Sequence, residues 1–285
     1  MQRLHTIAAW RDYAQRQRDA GHSVGLVPTM GALHAGHASL FDEAKARGDV
    51  VLATIFVNPR QFGDIADLRA YPHTPEVDLR LAQEHGVDCL VEPALEEMWP
   101  EYPRSTATTV SVRGISEVLE GAGRPGHFDG VASVVAKLFA VTGPCRAYFG
   151  DKDFQQIAVV RQMVADLALP VEVVGCPIVR DYDGLALSSR NLLLSETARH
   201  QALSLSRALH QVGDTRRYAS AMRRAMRAVM EDAGVRVAYA DVVDPVTFMP
   251  TRDDEGGARR ALVAGVVGGV RLIDNGPVVV EPRRD

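Results

Sequence analysis

Between Val24 and Val57 the chain passes from a short apolar run, Val24 to Val27, through a turn rich in glycine and histidine. It then enters a helical pattern around Leu40, Phe41 and Ala44 and reaches an almost wholly apolar run, Val50 to Val57. Strand, turn, helix and strand within about 35 residues is the length of one βαβ unit. A second strand without a polar face is what a parallel strand covered on both sides requires, so this region reads as α/β. The alternation continues. Thr74 stands as an N-cap with Pro75 at the first helical position, a helix runs to about His85, and a strand follows from Val87 to Val91. Further strands are predicted at Thr108 to Val112, Arg146 to Phe149 and Val171 to Val174. Between the last two, Ile157, Val160, Met163, Val164 and Leu167 recur at helical spacing as a core stripe.

After Pro177 the texture changes. A polar turn with Asp183 and Gly184 and the run Ser188, Ser189, Arg190 lead into two helical patterns, Ser195 to Val212 and Tyr218 to Ala233. Strand-like runs follow at Arg236 to Val243, Arg260 to Val267 and Val270 to Ile273. Helices followed by consecutive strands read as a separate α+β domain. The 285 residues suit two domains at roughly 150 residues each, here 1–176 and 177–285. Thr251 to Gly257, rich in charge and glycine, reads as a mobile loop. Hydrophobic residues at 46% and charged residues at 24% exclude a disordered chain. With 32 basic against 36 acidic residues, nothing marks nucleic acid or a membrane as a partner. Three scattered cysteines form neither a zinc nor a disulfide pattern, and no targeting or spanning segment is evident, so the reading is cytoplasmic.

Three segments carry chemistry. Pro28-Thr29-Met30-Gly31-Ala32-Leu33-His34-Ala35-Gly36-His37 lies where the first strand hands over to the first helix. In an open parallel sheet the carboxyl ends of strands bind ligands, and the following helix N-terminus favours phosphate. Two imidazoles three residues apart could donate to phosphate oxygens there; the plainer alternative is one histidine capping the helix and the other packing in the core. Gly150-Asp151-Lys152-Asp153-Phe154-Gln155-Gln156 also follows a strand, with Lys152 able to reach phosphate, or is simply a solvated helix start. Leu187-Ser188-Ser189-Arg190-Asn191 offers hydroxyls and a guanidinium on a closing loop, or an ordinary approach to the next helix. Gly121, Gly123 and Gly126 spell G-x-G-x-x-G without a preceding strand, so a turn is the better reading; Arg124 and His127 beside it could still reach a substrate.

Together these segments resemble the pantoate–β-alanine ligase family. The matching stretches are Val27 to Leu40, Phe56 to Gly63, Tyr71 to Thr74, Gly126 to Phe128, Val131 to Phe139, Tyr148 to Leu167 and Val179 to Ser195, in family order over about two-thirds of the chain. The His34-x-Gly36-His37 element is shared with a wider nucleotidyltransferase superfamily. The resemblance implies a Rossmann-like N-terminal domain for nucleotide and pantoate, a smaller C-terminal lid, and a homodimer. It also implies ATP with magnesium, and pantoate and β-alanine as substrates joined through a pantoyl adenylate.

Carried over, Pro28 to Gly31, His34 and His37 form the ATP loop, with His37 the proton donor and His34 beside the phosphates. Gly150, Asp151, Lys152, Asp153, Val179, Leu187, Ser188, Ser189 and Arg190 complete the nucleotide site, Lys152 and Arg190 sharing the catalytic charge. Gln61 and Gln156 hold pantoate, Gln61 also serving β-alanine. Asn58, Tyr71, Arg124 and His127 are further substrate candidates, and Asp78 is placed near a magnesium ion held in the main by ATP phosphates.

Ala35, His73, Asp129 and Leu187 depart from the family pattern, and Leu187 keeps the volume and polarity of the methionine it replaces. Two competing readings are another nucleotidyltransferase, which would form no amide, and a nucleotide-binding module without catalysis. Paired Gln61 and Gln156 count against the first, and Lys152 and Arg190 beside both histidines against the second.

Overall fold

The computed structural model describes residues 1–213 and 217–283. The chain divides into two compact units, Met1–Asp151 with Gln155–Pro177, and Lys152–Phe154 with Ile178–Asp285.

The first unit runs β1 (Gln2–Leu4), α1 (Ile7–Asp19), β2 (Val24–Thr29), α2 (Ala35–Ala46) and β3 (Val50–Ile55). It continues through α3 (Ile65–Ala70), α4 (Pro75–Glu84), β4 (Cys89–Val91), α5 (Leu95–Met98), α6 (Glu120–Gly123) and α7 (His127–Thr142). It closes with β5 (Cys145–Gly150), α8 (Phe154–Asp166) and β6 (Val171–Cys176). The six strands form one sheet in the order β1-β4-β3-β2-β5-β6, with every paired neighbour parallel. Both faces are covered, as the almost wholly apolar run of β3 requires. Leu26 and Leu52 enter a core with Trp10, Phe139 and Met163, while Val27, Val51 and Ala53 enter another with Phe41, Leu90 and Tyr148. Fully burying a leucine of this kind contributes about 1.5–3 kcal/mol.

The second unit sets α9 (Glu196–Gly213) and α10 (Ala219–Asp232) on an antiparallel sheet of β7 (Arg236–Val243), β8 (Gly257–Val267) and β9 (Val270–Val280). Its own core gathers Leu205, Leu209, Met222, Met226, Val242, Val263 and Leu272. Residues Lys152–Phe154 cluster with it: the Asn275 amide donates to the Lys152 carbonyl at 2.9 Å, and the Phe154 ring stands 5.7 Å from that of Phe248.

Several expectations change. Thr108 to Val112 is not a strand: the Val110 N–H donates to Ser133 Oγ at 2.9 Å, a side-chain partner in place of a ladder. Leu167 is 51% exposed beyond the end of α8, whereas Ile157, Val160 and Met163 are buried. Thr251 to Gly257 is fastened, because Asp253 accepts from the Ser220 N–H at 2.7 Å and its hydroxyl at 2.6 Å. Thr74 takes the N-cap position of α4 without capping it; its hydroxyl donates to Asp78 Oδ1 at 2.9 Å instead. The strand β1 and the helices α1 and α7 were not anticipated. Among the described residues no helix is long and apolar enough to cross a membrane.

Candidate functional site

The handover from β2 to α2 is a tight turn. Gly31 and Ala32 both take left-handed backbone, with φ of 81° and 48°. A side chain at Gly31 would also crowd Asp78 Oδ2 and Ile55 Cγ2, so glycine relieves both the backbone strain and the close approach there. Thr29 braces the entrance, its hydroxyl donating to the Thr54 carbonyl at 2.6 Å and accepting from the Gly31 N–H at 3.2 Å. Beneath the turn lies Asp78, 2% exposed. Its Oδ2 accepts from the Ala32 N–H at 2.9 Å, and its Oδ1 accepts from the Leu33 N–H at 2.7 Å and from Thr74 Oγ1. A carboxylate placed near a metal by resemblance thus has both oxygens engaged by the turn.

His34 and His37 cap α2 reciprocally. The Gly36 N–H donates to His34 Nδ1 at 3.1 Å and the His34 N–H donates to His37 Nδ1 at 3.3 Å, with the rings 4.2 Å apart. A backbone N–H can only donate, so each neutral ring carries its hydrogen on Nε2. Capping and phosphate recognition are therefore not alternatives: one nitrogen of each ring serves the helix, and the other is a donor of assigned polarity at a helix N-terminus. Neither ring lies in the core; both are half-buried.

Beyond β3, Gln61 sits in a frame of named partners. Its Nε2 lies 3.2 Å from Met30 Sδ, and its Oε1 accepts from Asn58 Nδ2 at 3.0 Å. Its carbonyl accepts from His127 Nδ1 at 2.8 Å and from Arg124 Nη2 at 3.4 Å, while Arg124 Nη1 meets His127 Nε2 at 3.2 Å. The carbonyl and the guanidinium have fixed polarity, so His127 is the Nδ1–H tautomer. Arg124 and His127 reach this point because Gly126, at φ 78°, turns the chain into α7. The Gln155 amide secures the preceding segment through Glu120 N, Ile115 O and Val118 O. Tyr71 is buried with its ring edge-on to Phe62, and Gln156 is half-buried in the first turn of α8.

Met30, Asn58, Gln61, Arg124 and His127 are thus brought together, with Pro28, Thr29, Gly31, His34 and His37 along the adjoining turn. Gly150 ends β5, paired with Cys176, and Asp151 follows it. Sequence reading missed two supports, Trp99 and Gln155. Trp99 stands 41 residues from the Asn58 it touches, and no local spacing announces it.

In the second unit the remaining candidates fall on one stretch and on Lys152. Residues 179–187 form a hairpin closed by the Leu187 N–H on the Val179 carbonyl at 3.0 Å and the bridge of Arg180 with Ala186. Arg180 grips the buried Asp274 with two bonds of 2.7 and 3.0 Å, and Arg199 holds Asp181 and Asp183. Ser188 caps the short turn that carries Ser189 and Arg190, its hydroxyl accepting from the Arg190 N–H at 3.3 Å. Lys152 Nζ lies 3.8 Å from Asp153 Oδ1.

Polar side chains gathered where neighbouring parallel strands end, around the start of a helix, define an α/β enzyme of the open parallel-sheet class. The model of the family described as pantoate-beta-alanine ligase matches residues 2–277. The chain is 50% identical over 279 residues to the pantothenate synthetase of Cereibacter sphaeroides, covering 96% of this chain and 99% of that protein. It is 49% identical to that of Moorella thermoacetica, covering 99% of each. The fold matches the crystal structure of pantothenate synthetase from Thermus thermophilus with a TM-score of 0.87 at 46% identity over 97% of this chain and 99% of that one. It also matches pantoate-beta-alanine ligase from Francisella tularensis, complexed with beta-gamma ATP and beta-alanine, at a TM-score of 0.81 and 31% identity, with 97% of each covered. The chain belongs to the pantoate–β-alanine ligase family.

Proposed function

We propose that the chain joins pantoate to β-alanine in two half-reactions, ATP first activating the pantoate carboxylate as pantoyl adenylate. Ligation at the expense of ATP accords with the family and its relatives. The observation that best supports the mechanism is the reciprocal capping of His34 and His37, which assigns an Nε2–H donor to each ring at the start of α2. In the first half-reaction the carboxylate attacks the α-phosphorus in line and pyrophosphate leaves. His34 and His37, with Lys152 and Arg190, offset the charge that builds on the phosphates. Pro28 to Gly31, Gly150, Asp151, Asp153, Val179, Leu187, Ser188 and Ser189 are assigned to the nucleotide. Gln61 and Gln156 are assigned to pantoate, with Asn58, Tyr71, Arg124 and His127 around them. In the second half-reaction the neutral amine of β-alanine attacks the acyl carbon and AMP leaves, so no protein nucleophile is needed.

Magnesium, when bound, would offset phosphate charge. The ion is assigned to the ATP phosphates, because both oxygens of Asp78 are engaged by the Ala32 and Leu33 N–H groups and the Thr74 hydroxyl. The second unit is assigned the role of a lid that keeps water from the adenylate. A cytoplasmic homodimer completes the proposal.

The test is pyrophosphate release from ATP and magnesium with pantoate alone, then with β-alanine added, following the amide by mass. One equivalent released with pantoate, turning catalytic with β-alanine, is the expected result; release without amide would point to a different transferase. His37→Ala and Lys152→Ala are each expected to fold normally and slow the first half-reaction at least about 100-fold, near 3 kcal/mol of transition-state stabilisation.

A further inference from the structure

The side-chain amide of Gln61 has two ends of similar shape and opposite chemistry, since Oε1 only accepts and Nε2 only donates. The end turned toward a bound acid anion decides whether Gln61 attracts or repels it. Its orientation follows from a chain of groups whose polarity is not negotiable. The indole N–H of Trp99, which can only donate, lies 3.0 Å from Asn58 Oδ1. Asn58 Nδ2 is then the donating end, and it reaches two acceptors, the Gly130 carbonyl at 3.1 Å and Gln61 Oε1 at 3.0 Å. The Gly130 carbonyl, which can only accept, demands the same orientation independently of the indole. With Oε1 engaged, Gln61 turns Nε2 toward Met30, 3.2 Å from its sulfur.

Water does not blur this relay, because Asn58 is 1% and Trp99 6% exposed. The indole is itself held in place. The Arg60 guanidinium lies 4.9 Å and the Lys137 amine 5.1 Å from the ring, and Lys137 donates to the Glu97 and Met98 carbonyls at the end of α5.

We propose that Trp99 is a positioning residue which, acting through Asn58, orients the Gln61 amide so that it offers N–H donors to the carboxylate or hydroxyl oxygens of the 2-hydroxy acid substrate. The inference rests on the assignment of Gln61 to pantoate. Removing the indole N–H leaves Asn58 Oδ1 with the Arg60 N–H alone, at 3.4 Å, so the Asn58 amide, still held by the Gly130 carbonyl, orients Gln61 less firmly, and the share of orientations that present an oxygen to an anion rises, to half at most.

Trp99→Phe keeps the ring packing and deletes the donor. The expected result is a rise of up to about twofold in the KM for pantoate, the limit set by losing half of the orientations, with the KM for ATP and the melting temperature nearly unchanged. In a Gln61→Ala background the same substitution is expected to leave the KM for pantoate unchanged, because the residue through which it acts is gone. An equal rise in both backgrounds, or an equal rise in the KM for ATP, would overturn the inference. A second readout needs neither turnover nor a folded Trp99→Phe. The chain has two tryptophans, so two indole N–H signals separate by NMR, and that of Trp99 should exchange at least about tenfold faster in Asn58→Ala than in the wild type. Equal exchange rates would sink the proposal whatever the substrate. Failure of wild-type protein to release pyrophosphate with pantoate would instead count against the functional assignment alone.

Discussion

Asp78 illustrates how a single side chain is given its role by its surroundings. Its three bonds to Ala32 N, Leu33 N and Thr74 Oγ1 hold a turn whose Ala32 backbone is left-handed, a conformation that costs a non-glycine residue about 1 kcal/mol. Asp78→Ala removes the carboxylate that accepts from the Ala32 and Leu33 N–H groups and the Thr74 hydroxyl, and is expected to lower unfolding stability by roughly 2–4 kcal/mol in a urea titration. Asp78→Asn keeps the shape and loses one acceptor, so turnover should fall while the magnesium concentration giving half-maximal rate stays unchanged. A shift in that magnesium dependence would return Asp78 to the metal. The sequence put Asp78 in the first turn of a helix, and it lies in the first turn of α4. That its carboxylate faces the backbone of residues 46 and 45 positions away is set only when α4 packs against α2 and the turn before it.

Among elements, α7 was the least legible and is the most consequential for Gln61. Much of its length is buried, including Phe128, Val131, Val135 and Phe139, so it lacks the polar stripe by which an amphipathic helix announces itself. The run Thr108 to Val112 fails in the opposite way: it alternates like a strand, but a strand exists only if a second one comes alongside to share its N–H and carbonyl groups. The approach of α7 to the 59–61 turn is close enough that a methyl group at Gly130 would overlap the Arg60 carbonyl and crowd Gln61 Cα. Gly130→Ala is therefore expected to cost about 1–3 kcal/mol by chemical denaturation and to raise the KM for pantoate by displacing Gln61. Wild-type stability with wild-type KM would show that the helix yields without moving the site.

At the scale of the whole molecule, the two units carry separate cores, and the second is tied together by carboxylates. Tyr182 N–H and Arg199 hold Asp181 below the usual carboxylate range, Thr247 and Val246 backbone N–H groups do so for Asp244, and the Ser220 hydroxyl and N–H for Asp253. A folded-state value below the unfolded one contributes stability that is present above the unfolded value, about 3.9, and is lost as pH falls through the folded value. The melting temperature of the wild type should therefore drop between about pH 5 and 2, and Asp253→Asn should flatten that slope. Exposure and screening keep each contribution small, so an unchanged slope in a variant with all three replaced by Asn is the result that would refute it.

The sequence by itself determined the α/β class, most of the strands, the turn at which a helix begins between two histidines, and the second group of helices and strands. Those features depend on neighbours a few residues apart, through apolar period, turn chemistry and caps. Tertiary structure alone decided which end of Gln61 faces outward, which nitrogen of His127 bears its hydrogen, and what the Asp78 carboxylate holds. Each of those depends on at least one hydrogen bond between groups tens of residues apart, Trp99 to Asn58, His127 to Gln61 and the Ala32–Leu33 turn to Asp78, whose direction follows from donor and acceptor identity only once packing has brought the two together.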